Sequence, residues 1–146
     1  MLNKVLSNIF SLLSLVAAMF FCVLYAVLSH SEALGGRSFP LTVIFIVGIL
    51  VYFCLFCLKR FIRIYPFPVK ITPENMAFQA SFAKLSTSIL SFLLMCAFIS
   101  VIYIKYCNLA ESTEKLPLIP AYLPFIFGGA SAAWYASYIA VARKHK

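Results

Sequence analysis

Charge is what this chain has least of. Only 11% of its 146 residues are charged, against about a quarter in an ordinary soluble domain. Aspartate is absent, and the four glutamates, Glu32, Glu74, Glu111 and Glu114, all fall in breaks between apolar runs or at an expected helix start. No carboxylate is therefore expected at membrane depth, where a buried ionisable group is the usual mark of a proton or ion pathway. That absence argues against coupled transport, and against a small multidrug-type exporter, which depends on a carboxylate in its first helix. Histidine is nearly as scarce. His30 and His145 lie on opposite sides of the arrangement developed below, and neither has a Cys or His neighbour at ligand spacing, so no metal site and no cofactor is expected. G-x-S-x-G is missing, and no His or Asp can be placed beside a serine at depth, which removes the usual hydrolase arrangements.

What is present is apolar. Hydrophobic residues make up 64% of the chain and mean hydropathy is +1.00, values of the membrane class. Ile9 to Ser29 is a run of 21 apolar or small residues, about 31 Å of helix and long enough to span a bilayer. Lys4 before it and Ser31-Glu32-Ala33 after it have the outline of a cleaved signal peptide, but the run exceeds a usual signal core and is read as the first span. His30 to Pro40, with Gly35-Gly36, is a turn. Leu41 to Leu58 forms the second span, with Tyr52, Phe53 and Phe56 near its end as in an interfacial aromatic belt.

Lys59 to Asn75 is the one long polar break, the core of a cytoplasmic elbow over 59–84. Pro66 and Pro68 forbid a regular helix there. Thr72 reads as an N-cap with Pro73 at the first helical position and Glu74 in the first turn, so a helix is expected from Pro73. Its lipid-compatible part is Leu85 to Ile104, leaving Pro73 to Lys84 as a cytoplasmic extension of about three turns. After a second turn, Lys105 to Pro117, the last run becomes regular past Pro120, spans 121–142, and is expected to kink near Pro124.

The cations order these runs. Lys4, Lys59, Arg60, Arg63, Lys70, Lys84, Arg143, Lys144 and Lys146 fall on one side, and only Arg37, Lys105 and Lys115 on the other. In short loops the richer side is cytoplasmic. The expectation is a single-domain, all-α integral membrane protein of four transmembrane helices in two hairpins, with both termini in the cytoplasm and the third helix extended into it. Because the charges sit at the ends of apolar runs, the net charge of +8 points to anionic lipid head groups as partners and not to nucleic acid. The elbow residues Lys59, Arg60, Arg63, Pro66, Pro68, Lys70, Thr72 and Pro73 are the candidate site at that surface.

Small residues supply the other candidates. Gly129, Ala133, Ala136 and Ala140 recur at spacings of four, three and four on the last helix, a pattern that lets helices approach closely within the chain, against a second copy, or against a partner. Ser7, Ser11, Ser14 and Ala18 in the first helix, and Ala83, Thr87 and Ser91 in the third, form similar stripes. The three stripes are expected to face one another. Cys54-x-x-Cys57 resembles the paired cysteines of four-helix membrane thiol oxidoreductases, but it lies at the reducing end of its helix, and as a pair at i and i+3 it reads as packing.

Tyr65-Pro66-Phe67-Pro68-Val69-Lys70-Ile71-Thr72-Pro73-Glu74-Asn75, followed by a helix rich in Ala, Gln and Lys and then an apolar span, resembles a segment of small bacterial membrane proteins grouped with the SdpI-type toxin-immunity proteins. The similarity covers roughly Lys59 to Tyr106. Those proteins also have a longer outer loop before the second helix, whereas here His30 to Pro40 is short. The resemblance implies a bacterial inner-membrane protein with a proline-rich cytoplasmic elbow. No catalytic residue is expected. The chain is expected to act by binding, as an accessory or immunity-like protein; the alternative is a small transporter or channel subunit, with a polar path built from Ser86, Ser88, Ser91, Ser100 and Ser131.

Overall fold

A computed structural model of the chain describes residues 2–34, 36–61, 72, 73, 75–110 and 120–144. Four helices carry the fold: α1, Leu2–Ser29; α2, Phe39–Arg60; α3, Met76–Leu109; and α4, Leu123–Lys144. No strand occurs among the described residues. All four helices are long and apolar enough to cross a membrane, so the chain is an all-α, multi-pass membrane protein.

The apolar runs set where helices form, and local chemistry sets where they end. α1 begins at Leu2, so the polar start expected before Ile9 is already helical. Ser31 then donates its backbone N–H to the Leu28 carbonyl at 3.3 Å, a turn of 3-10 helix spans Glu32–Leu34, and Gly36 turns the chain at φ +86°, a conformation open chiefly to glycine. Pro40 lies in the first turn of α2, where no N–H is required of it.

Regular α3 begins at Met76, three residues later than the expected Pro73. The capping chemistry expected of Thr72 is nevertheless present. Its Oγ1 accepts from the Asn75 N–H at 3.4 Å, Asn75 Oδ1 accepts from the Thr72 N–H at 2.9 Å, and the Met76 N–H reaches the Thr72 carbonyl at 3.0 Å. This is a reciprocal capping box closing the first turn. With 34 residues, α3 is about 51 Å long and overshoots a hydrocarbon core of about 30 Å. Pro124 falls at the second residue of α4 and not mid-helix. The kink expected there is replaced by a helix start, because proline fits the first turn.

α3 is the hub. Its largest interface is with α1, followed by α4 and α2, while α1 and α2 touch each other much less. Of the two hairpins, α3 and α4 are also packing partners, whereas α1 packs mainly on α3 and little on α2. At the end of the bundle holding the α1–α2 turn, the core is closed. Leu28, Leu34, Leu41 and Ile102 are buried in one cluster, Tyr25 stacks on Phe45 at 4.1 Å, and Phe21 packs against Phe45 and Phe98 at 5.5 and 6.2 Å. Two hydroxyl pairs tie that end together: Tyr25 with Thr42 at 3.0 Å and Ser31 with Tyr106 at 2.9 Å.

Candidate functional site

The opposite end of the bundle is open. The amino-terminal half of α1, the last turns of α2 and the first turns of α3 surround a half-open cleft of about 880 Å³, within the range of small-molecule sites. Its mouth carries Lys4, Lys59, Arg60 and Lys84, and its walls carry Ser7, Asn8, Ser11, Ser14, Tyr52, Ser81, Thr87, Ser88 and Ser91. Leu12, Leu15, Leu55 and Phe56 complete the α1 and α2 edges.

Each wall follows from helical spacing. Lys4, Ser7, Ser11 and Ser14 are three or four residues apart and share one face of α1, while Lys84, Thr87, Ser88 and Ser91 do the same on α3. The two faces meet through Ser88. Its hydroxyl donates to the Lys84 carbonyl at 2.8 Å, which leaves its oxygen to accept from Ser7 at 3.4 Å and Ser11 at 3.3 Å. Ser14 donates to the Ser11 carbonyl at 2.9 Å and Thr87 to the Ala83 carbonyl at 2.8 Å, so these polar groups are satisfied without a charged partner. Tyr52 from α2 lines the cleft together with Ser14. Around the mouth, electrostatics are of one sign. Lys59 and Lys84 line it from α2 and α3, and the described lining contains no carboxylate. Glu32, the one glutamate among the described residues, sits in the turn at the far end.

Of the elbow residues expected at this surface, Lys59 and Arg60 line the cleft, and Thr72 and Pro73 form the turn leading into α3. Arg63, Pro66, Pro68 and Lys70 lie outside the described residues. The α1 and α3 stripes do face one another: Ser14, Ala18, Ala83, Thr87 and Ser91 are buried. The α4 stripe does not join them. Gly129, Ala133, Ala136 and Ala140 are all exposed, and a Cβ added at Gly129 would meet nothing within 4 Å. α4 instead buries Ser131, Tyr138 and Ala142, with Tyr138 against Phe82 at ring centroids 5.4 Å apart. Small residues at helical spacing establish a shared face but not which way it turns, and here the face carrying Ser131, Tyr138 and Ala142 is the inward one.

The serines proposed for a polar path divide. Ser88 and Ser91 line the cleft, whereas Ser100 and Ser131 are buried and donate to the Cys96 and Phe127 carbonyls of their own helices, each at 2.8 Å. Ser86 is buried away from the lining. Cys54 and Cys57 are free thiols on α2. No group of three or more His, Cys, Asp or Glu converges among the described residues. Sequence reasoning missed Asn8, Tyr52 and Ser81 as cleft residues and treated Ser7, Ser11 and Ser14 only as a packing stripe. The signal available was that Lys4 continues the same face, a cation in line with three hydroxyls. Compared with protein-family models, curated proteins and solved structures, the chain matches none.

Proposed function

We propose that the chain is an accessory or immunity-like protein of a bacterial inner membrane, with both termini in the cytoplasm, that acts by binding and performs no chemistry. The observation that supports this best is the make-up of the cleft. Hydroxyl, amide and cationic groups recognise a ligand, and the described lining has no carboxylate or imidazole to move a proton for it. The resemblance of Tyr65 to Asn75 to the SdpI-type segment points the same way. So does the exposed α4 stripe, which leaves a close-approach surface open to a second copy or a protein partner.

The transporter reading draws on one feature, the convergence of Ser88 and Ser91 with the α1 serines. Against it, Ser86, Ser100 and Ser131 lie elsewhere, and the Phe21, Phe45 and Phe98 cluster fills the bundle beyond the cleft.

Mild crosslinking in native membranes tests the binding reading. The intact chain should be captured with one specific protein or a second copy, and Gly129→Leu with Ala133→Leu should abolish capture while insertion is unchanged, since the leucine at Gly129 enters open space. No capture under conditions that preserve membrane complexes, together with solute flux in liposomes, would replace this reading with transport.

A further inference from the structure

We infer that the cleft holds one anionic glycerophospholipid, its phosphate among Lys4, Lys59, Arg60 and Lys84 and one acyl chain leaving over Leu12, Leu15 and Phe56. This rests on the binding reading above and names the occupant of its cleft.

Charge comes first. Four cations, Lys59 and Lys84 among them, surround one opening with no carboxylate among the described lining residues. Such a mouth is relieved by an anion. Depth comes second. On the spans read from the sequence, Lys59, Arg60 and Lys84 sit just outside the hydrocarbon edge. Ser14 is five residues inside from Ile9, Tyr52 six from Leu58 and Ser91 six from Leu85, each about 8–9 Å at 1.5 Å per residue. The three helices thus place their innermost cleft hydroxyls at one level, below the phosphates, where the glycerol esters and upper acyl chains of a phospholipid lie. Ester carbonyls only accept hydrogen bonds, and the Tyr52 hydroxyl and the Asn8 amide in the lining are donors able to meet them. Shape comes third. Leu12, Leu15 and Phe56 are exposed at the α1 and α2 edges, and α1 and α2 share little contact, so an apolar tail passes from the cleft into surrounding lipid. A water-soluble phosphate would leave these edges unused.

Native mass spectrometry of the full chain in detergent tests this, using an equimolar mixture of phosphatidylglycerol and phosphatidylcholine with glycerol phosphate as soluble competitor. One phosphatidylglycerol per chain should be retained, about tenfold over phosphatidylcholine. Lys59→Gln with Lys84→Gln should reduce retention about tenfold or more. Arg143→Gln with Lys144→Gln, which removes two cations at the same end of the bundle but outside the cleft, should leave it within about twofold. The cleft variant should lose the lipid-induced rise in Tm that the parent shows. Lys4→Gln, at an exposed position on α1, supplies a second cleft variant. Equal retention of phosphatidylcholine, equal loss in the tail variant, or full competition by glycerol phosphate would each overturn the inference. If lipid retention fails while protein capture persists, only this inference falls; if capture fails while lipid is retained, only the accessory reading falls.

Discussion

Gly48 and Gly129 show how one residue type acquires opposite roles from its surroundings. A Cβ at Gly48 would approach Phe21 Cε1 to 2.7 Å and Phe98 Cγ to 3.2 Å, and Phe21 is fully buried with no room to swing aside. Gly48→Ala should therefore lower stability by about 1–3 kcal/mol through overpacking. Gly129→Ala meets open space and should be neutral or stabilising by about 0.5 kcal/mol, as alanine favours helix. Unfolding of the two variants side by side in detergent checks the contrast; equal effects would remove the structural distinction between the sites. Nothing in the sequence marks Gly48 as the tighter site. Gly128-Gly129 looks more like a packing motif than a single glycine within Leu41 to Leu58, because spacing records neighbours along a helix and not the side chain that arrives from another.

Among the elements, α4 depends most on a single partner, since its main interface is with α3. Its last turn is held by Gln79, fully buried, whose Nε2 donates to the Ala142 carbonyl at 3.0 Å. The final carbonyls of a helix lack intrahelical donors, and here a neighbouring side chain supplies one. Gln79→Leu should cost about 1 kcal/mol and speed amide exchange over Ala140 to Lys144, with little change in α1 or α2; uniform exchange changes along the chain would argue against a local clasp. The helices themselves were legible from hydropathy, since four apolar runs can only satisfy their backbones in lipid as helices. Their ends were less so. α1 reaches back to Leu2 and α3 out to Leu109 because helix propagation does not stop at a bilayer surface. Capping and proline chemistry stop it, as at Thr72 and Pro124.

At the scale of the whole molecule, the alternation of four helices puts the start of α1, the end of α2, the start of α3 and the end of α4 together, and the basic residues gather there. Periplasm-dependent reporters fused after Lys146 or within residues 62–71 should be inactive, and one fused after Gly36 active, if that end is cytoplasmic as we propose. The opposite pattern would invert the arrangement, and activity at both Gly36 and the tail would mean that one run does not cross. The candidate site was half legible: its cations were visible as a topological signal, and its hydroxyls as a packing stripe. Their union was not, because it depends on α1 lying against α3 and not against the helix that follows it.

The cleft also shapes the electric field inside the protein. Membrane voltage falls only where water and ions cannot follow, and a water-filled cleft would carry the basic side's potential inward to Ser14, about a quarter of the first span. A phosphate held at the mouth therefore crosses almost none of the roughly 2.3 kcal/mol per charge that 100 mV supplies, so occupancy follows the composition of one leaflet and is indifferent to the energised state of the membrane.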